Sequence, residues 1–150
     1  VGRVVERFRA VAENRRLRLD VELVTAPGQD CPQVWGDPMR LEQILNNVFS
    51  NALRYTPEGG YISLRSSCSA REVAISVRDS GPGIQPDMLP HVFERFYRAD
   101  SARDREQGGS GLGLAIAQQL AVAHEGSLEA GNHPDGGAIF TLRLPVKKQN

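Results

Sequence analysis

Charge of one prevailing sign is missing: Lys plus Arg and Asp plus Glu stand at 18 each, for a formal net charge of zero. No global field steers such a chain to nucleic acid or to an acidic membrane. Cysteine is nearly missing as well. Cys31 and Cys68 occur without metal-ligand spacing, which fits buried or idle thiols in a reducing compartment, or a single bridge. No apolar run approaches membrane-spanning length and no signal-peptide pattern is present, so no direct membrane contact is expected. Histidine is scarce, and His91, His124 and His133 have no partner at catalytic or ligand spacing. All three read as structural. There is no repeat and no low-complexity tract. What remains is a chain of 150 residues, one domain of ordinary size with room for a real core. It starts abruptly in a helical pattern, so a piece of something longer is expected.

Two glycine clusters organise the chain. Asp79-Ser80-Gly81-Pro82-Gly83-Ile84 is the first and Gly108-Gly109-Ser110-Gly111-Leu112-Gly113-Leu114 the second, with more than twenty residues between them. Loops of that length are uncommon inside a compact domain and often cover a ligand. The shape suggested is a pocket closed by the segment between its own glycine hinges.

Around this stretch the periodicities alternate. Val4, Val5, Phe8, Val11 and Ala12 predict an amphipathic helix over 2–14. Leu17, Leu19, Val21 and Leu23 predict a half-buried strand, and Val34-Trp35 a short extended piece. Asp37-Pro38 is an N-cap followed by a first-turn proline. The helix it opens, 38–54, carries Leu41, Ile44, Leu45, Val48, Phe49 and Ala52 on one arc, at roughly 100° per residue. Asn47, Asn51 and Arg54 fall together on a flank of that arc, while Glu42 and Asn46 point away. Tyr61 to Leu64 and Val73 to Val77 predict two strands joined across Ser66–Arg71. Asp79 continues the phase of Val73, Ile75 and Val77 and so faces the core. A second buried helix is expected over 111–124, then strands Ser127–Ala130 and Ala138–Leu144 around Gly136-Gly137.

Each motif has two readings. The second glycine cluster lacks the Lys-Ser/Thr pair of a P-loop and the preceding strand of a dinucleotide fingerprint. It is either a phosphate site at a helix N-terminus or a flexible hinge. Asp79 is either a buried acceptor for an exocyclic amine such as that of adenine, or a cap on an Asp-Ser-Gly turn. Asn47 and Asn51 either offer carbonyl oxygens to Mg²⁺ or are surface amides. Arg54 neutralises phosphate or is a solvated cation. Between the glycines, Phe93, Phe96 and Tyr97 can pack the cover down and Arg98 can reach phosphate, whereas Arg103 and Arg105 read as partners for Asp100, Asp104 and Glu106.

Taken in order, Leu45–Ala52, Asp79–Gly83, Phe93–Phe96 and Gly109–Gly113 resemble the N, G1, F and G2 boxes of the catalytic and ATP-binding domain of sensor histidine kinases. That family sits within the wider group of gyrase, the Hsp90 chaperones and MutL. The resemblance runs over nearly the whole chain, down to Phe140-x-Leu142-x-Leu144-Pro145. It implies an α/β two-layer sandwich over 1–150, a mixed, largely antiparallel sheet with helices on one face and a long ATP lid. It also implies that Asn51 binds Mg²⁺ with Asn47 assisting, that Arg54 contacts phosphate and that Tyr55 lines the adenine pocket. Asp79 takes the adenine amine. Gly81, Gly83, Ile84, Phe96, Arg98, Gly109, Gly111, Leu112 and Gly113 complete the nucleotide site.

Hydrolytic relatives keep a Glu as general base where this chain has Asn47, whose amide takes no proton at any useful pH. The resemblance therefore implies a kinase that passes the γ-phosphoryl group to a histidine on a separate dimerisation domain, and onward to a response regulator. The setting implied is cytoplasmic, in a parent anchored in the bacterial inner membrane. A nucleotide-binding regulatory module without kinase output and a serine kinase of the anti-sigma-factor type are the alternatives. The isolated chain should bind ATP with slow or no turnover. Rapid phosphate release in a steady-state assay would mean that another base exists.

Overall fold

The computed structural model of the chain describes residues 1–24, 32–97 and 111–146. Helix α1 spans Gly2–Asn14 and turns Val4, Val5, Phe8 and Ala12 inward. Helix α2 spans Pro38–Tyr55. Its start is fixed by the Asp37 carboxylate, which accepts from Met39 N–H at 2.9 Å and Arg40 N–H at 3.4 Å, with Pro38 in the first turn where no N–H is needed. The Phe8 and Phe49 rings stack at 4.8 Å and seat α1 on α2. Glu42 and Asn46 face α1, meeting Arg7 at 3.7 and 3.3 Å, which leaves the opposite flank to Asn47, Asn51 and Arg54.

Strands β1 (Arg18–Val24), β2 (Tyr61–Cys68), β3 (Glu72–Asp79), β4 (Ser127–Asn132) and β5 (Ala138–Pro145) form one sheet in the order β1-β2-β3-β5-β4. β1 runs parallel to β2 and the other pairs are antiparallel. The register sets Leu64 opposite Val77, Ile75 opposite Leu142 and Val77 opposite Phe140, so the apolar side chains share a face. Helix α3, Gly113–Ala123, lies beside α2 over that face. It buries Ala115, Ala117 and Ala121, small residues that let it approach closely. Ser63, Arg65, Ser76, Arg78, Thr141 and Arg143 alternate onto the other face. The two-layer sandwich with a largely antiparallel sheet is the fold observed.

Local departures have local causes. β2 continues to Cys68 and β3 begins at Glu72, so their turn is Ser69–Arg71 rather than Ser66–Arg71. Ser66 and Ser67 stay paired on both sides and Cys68 pairs with Val73, and the Ser69 hydroxyl closes the turn by accepting from Arg71 and Glu72 N–H groups. At the edge, Leu23 is 61 % exposed, and no helix among the described residues covers that end of β1. Val34-Trp35 forms no strand, and Trp35 faces solvent. α3 starts at Gly113 and not at 111, since Gly111 has φ +71°, outside the helical region.

Phe49 is fully buried at the α1–α2 contact. Phe49→Ala is expected to cost about 3–5 kcal/mol, read from the urea midpoint. A loss below about 1 kcal/mol would mean that α1 is not seated through this ring.

Candidate functional site

Asp79 ends β3 pointing into the core and is 1 % exposed. Its Oδ1 accepts from Gly81 N–H at 2.8 Å and from Ala138 N–H at 3.3 Å. Oδ2 accepts nothing among the described residues. Burial lifts its pKa above the usual 3.8, opposed by the two backbone N–H groups and by the Arg78 guanidinium. The site thus holds a buried carboxyl group whose hydrogen bonds from the described residues all land on Oδ1.

Close backbone approaches bring the other segments to this acid. A Cβ on Gly81 would stand 2.6 Å from the Tyr55 carbonyl oxygen and 2.9 Å from Asp79 Oδ1, so the last turn of α2 rests on the loop. Gly137 lies against the Asp79 carbonyl, where no side chain fits. At the start of α3, a Cβ on Gly113 would be 3.7 Å from Asn47 Oδ1, ordinary contact distance. Both glycine clusters thus touch α2, the first at Tyr55 and the end of the second at Asn47. The Asn47 Nδ2 atom is buried with no acceptor among the described residues. Neither Asn51 nor Arg54, both half-buried, has a side-chain partner there. Tyr55 is 37 % exposed.

Part of the cover is described. A 3-10 turn runs over Leu89–His91, and Phe93 packs edge-on against Phe140 at 6.2 Å. The Phe96 N–H donates to Gly111 C=O at 2.9 Å, tying the middle of the cover to the second glycine cluster. The expectation that Phe93, Phe96 and Tyr97 pack the cover down holds for Phe93 and is corrected for Phe96. Phe96 has φ +61° and is 72 % exposed; its backbone, held to Gly111 in the left-handed region, turns the ring outward. Tyr97 is half-buried beside His91, ring centres 5.4 Å apart. Arg98 and Gly109 lie outside the described residues, as do Arg103, Arg105 and Cys31.

Ala138 N–H, Gly137 and Asn132 escaped the sequence reading. The Gly136-Gly137 pair was a usable sign of a close approach; Asn132 carried none. Among the described residues no group of three or more His, Cys, Asp or Glu could hold a metal ion, so a cation here would rest on amide oxygens, water and phosphate. A depression of about 360 Å³ on the opposite sheet face is lined by Ser63, Ser76, Arg78 and His133 among others. None of the candidate nucleotide residues lines it. No helix among the described residues is long and apolar enough to cross a membrane.

A family described as histidine kinase-, DNA gyrase B-, and HSP90-like ATPase matches residues 36–148. The chain is 40 % identical over 141 residues to the signal transduction histidine-protein kinase BaeS of Escherichia coli K12, an alignment covering 94 % of this chain and 29 % of BaeS. A mycobacterial sensor histidine kinase, MprB, has the same fold at a TM-score of 0.81 and 31 % identity, over 99 % of this chain and 97 % of that one. Full-length ShkA, solved in complex with AMPPNP, matches at 0.80 and 30 %, over 99 % of this chain and 30 % of its own. The chain thus spans under a third of the length of BaeS.

Burial of Asp79 makes a pH prediction. Below 3.8 the carboxyl is neutral in the folded and unfolded states alike. As pH rises through the raised folded pKa, a buried group must ionise, and the stability held by its neutral form is lost. Asp79→Asn removes that loss, so its melting temperature relative to the parent should climb as the pH is raised from 3.8 upward. Parallel curves for the two proteins would contradict it.

Proposed function

Since the chain belongs to the histidine kinase-, DNA gyrase B- and HSP90-like ATPase family, in its sensor histidine kinase branch, we propose that residues 1–150 are the catalytic and ATP-binding domain of a two-component kinase. The observation that carries the reading is the unpartnered Oδ2 of a buried Asp79. An exocyclic amine of adenine would give it the hydrogen bond it lacks, and a base without that amine would leave the oxygen unsatisfied. AMPPNP bound to ShkA, at 30 % identity, supports an adenine nucleotide.

The remaining roles follow from chemistry. Gly81 and Gly83 leave room for a flat base, with Ile84 and Tyr55 at its sides. Gly109, Gly111, Leu112 and Gly113 form the phosphate end of the site ahead of α3, and Arg98 would add a further cation there. Asn51 and Asn47 would hold Mg²⁺, which supplies charge neutralisation on the phosphates. The residues fit such a load: the orphaned Asn47 Nδ2 calls for an acceptor, which a phosphate oxygen or a metal-bound water provides. Arg54 adds a positive charge at the end of α2.

Among the described residues, no side chain on the amide flank of α2 is placed to take a proton from water. Asn47 is a neutral amide, and Glu42 is turned away toward Arg7. Catalysis is then positioning and charge stabilisation. A histidine nitrogen on the dimerisation domain of the parent attacks the γ-phosphorus, the bond to the β-bridging oxygen breaks, and ADP leaves. A response regulator takes the phosphoryl group from that histidine. The domain works in the cytoplasm, with the parent anchored in the bacterial inner membrane.

Mixing the chain with [γ-³²P]ATP, Mg²⁺ and the parent's dimerisation domain should label a histidine. Asn51→Ala should lower that labelling by about 100-fold or more with the circular dichroism spectrum unchanged. Full activity of the variant would show that the metal is held elsewhere. Nucleotide binding without any labelling would replace the kinase reading by that of a regulatory module.

A further inference from the structure

We propose that Asn132, at the tip of the β4–β5 hairpin, is a positioning residue that sets the loop Asp79–Ile84 for base recognition. The proposal rests on the adenine-binding reading above and names the part that holds the base side of that site in place.

Asn132 is the last residue of β4. Its Oδ1 accepts from Ile84 N–H at 2.7 Å and its Nδ2 donates to Ile84 C=O at 2.7 Å. One side-chain amide thus makes the two-point pairing that a neighbouring strand would make. Reversing the amide would set donor against donor and acceptor against acceptor, so both partners fix its orientation. Its register partner across the hairpin is Ala138, whose N–H donates to Asp79 Oδ1. A single rung of the hairpin therefore grips both ends of the loop, Asp79 through one residue and Ile84 through the other.

Proximity and rigidity are both built in. Gly83 has φ +78°, and a Cβ there would stand 2.8 Å from Asn132 Oδ1, so the loop comes this near only with glycine. The hairpin tip is itself tied: His133 N–H donates to Gly137 C=O and Gly136 N–H to His133 C=O, each at 2.9 Å. From β3, Arg78 Nε and Nη2 donate to Gly136 C=O at 3.1 and 2.9 Å. Between its fixed ends, Ser80 is tied to Tyr61 through its N–H and its Oγ and Gly81 N–H to Asp79, while Pro82 and Gly83 have no regular structure, so the Asn132 pair sets the far half of the loop. Asn132 is exposed and lies outside the core cluster. Its two hydrogen bonds serve the loop.

Calorimetric titration of the 150-residue chain with ATP, ADP and inosine triphosphate, whose base carries an oxygen in place of the amine, separates the outcomes. For Asn132→Ala, ATP and ADP should bind about tenfold more weakly and by the same factor, because two hydrogen bonds that order the base side are lost. The preference for ATP over inosine triphosphate should shrink toward one. The melting temperature should stay within about 2 °C of the parent, as expected for an exposed side chain. Asn132→Asp keeps the acceptor for Ile84 N–H but turns a carboxylate to Ile84 C=O, and should weaken ATP at least as much. Unchanged affinity and preference in both variants would overturn the positioning role. So would weaker binding that tracks a large fall in melting temperature while the preference is retained. A parent chain that binds no adenine nucleotide would overturn the functional reading, and the positioning role with it, before any variant is made.

Discussion

A carboxylate taken out of water and left half-satisfied is the constraint around which this domain is built. Asp79 is 1 % exposed, and both of its hydrogen bonds land on one oxygen. Such burial disfavours the charged form, so the group costs stability, and a ligand that donates a hydrogen bond to it would offset that cost. That arrangement is selective. A ligand with an amine in the right place removes the deficit, and one without it does not.

Everything near the acid is arranged to bring backbone up to it. Glycine stands at the points of closest approach: Gly81 under the Tyr55 carbonyl, Gly137 against the Asp79 carbonyl, Gly83 beside Asn132. Two helices meet over the same region, α2 ending at Tyr55 and α3 beginning at Gly113 next to Asn47. Small residues on α3 permit this, and the Phe8–Phe49 stack holds α1 on the far side of α2. The site is a meeting of chain ends, held from behind by a sheet whose apolar face is continuous.

Much of this was readable from residue patterns, and the exceptions are instructive. α1 and α2 declared themselves by strong helical periodicity, and α2 also by Asp37-Pro38, because local signals decide those boundaries. The core-facing direction of Asp79 followed from the two-residue period of β3. What stayed hidden was long-range or conformational. The Ala138 and Asn132 contacts join residues 59 and 48 positions apart, which no local pattern reveals. The last residues of β2 are polar on both faces, so their alternation carried no signal. Phe96 looked like packing material by composition, yet its positive φ turns it outward. Arg98 and Gly109 lie outside the described residues.

If the buried acid and the amide flank of α2 serve one ligand, that ligand must touch both at once. Amide chemical-shift mapping during titration with ATP and Mg²⁺ asks this directly. The account predicts perturbations concentrated at Gly81, Gly83, Ile84, Asn47, Asn51 and Gly113, with saturation at a single affinity. Perturbations gathered instead around Ser63, Ser76 and His133, on the other face of the sheet, would contradict it.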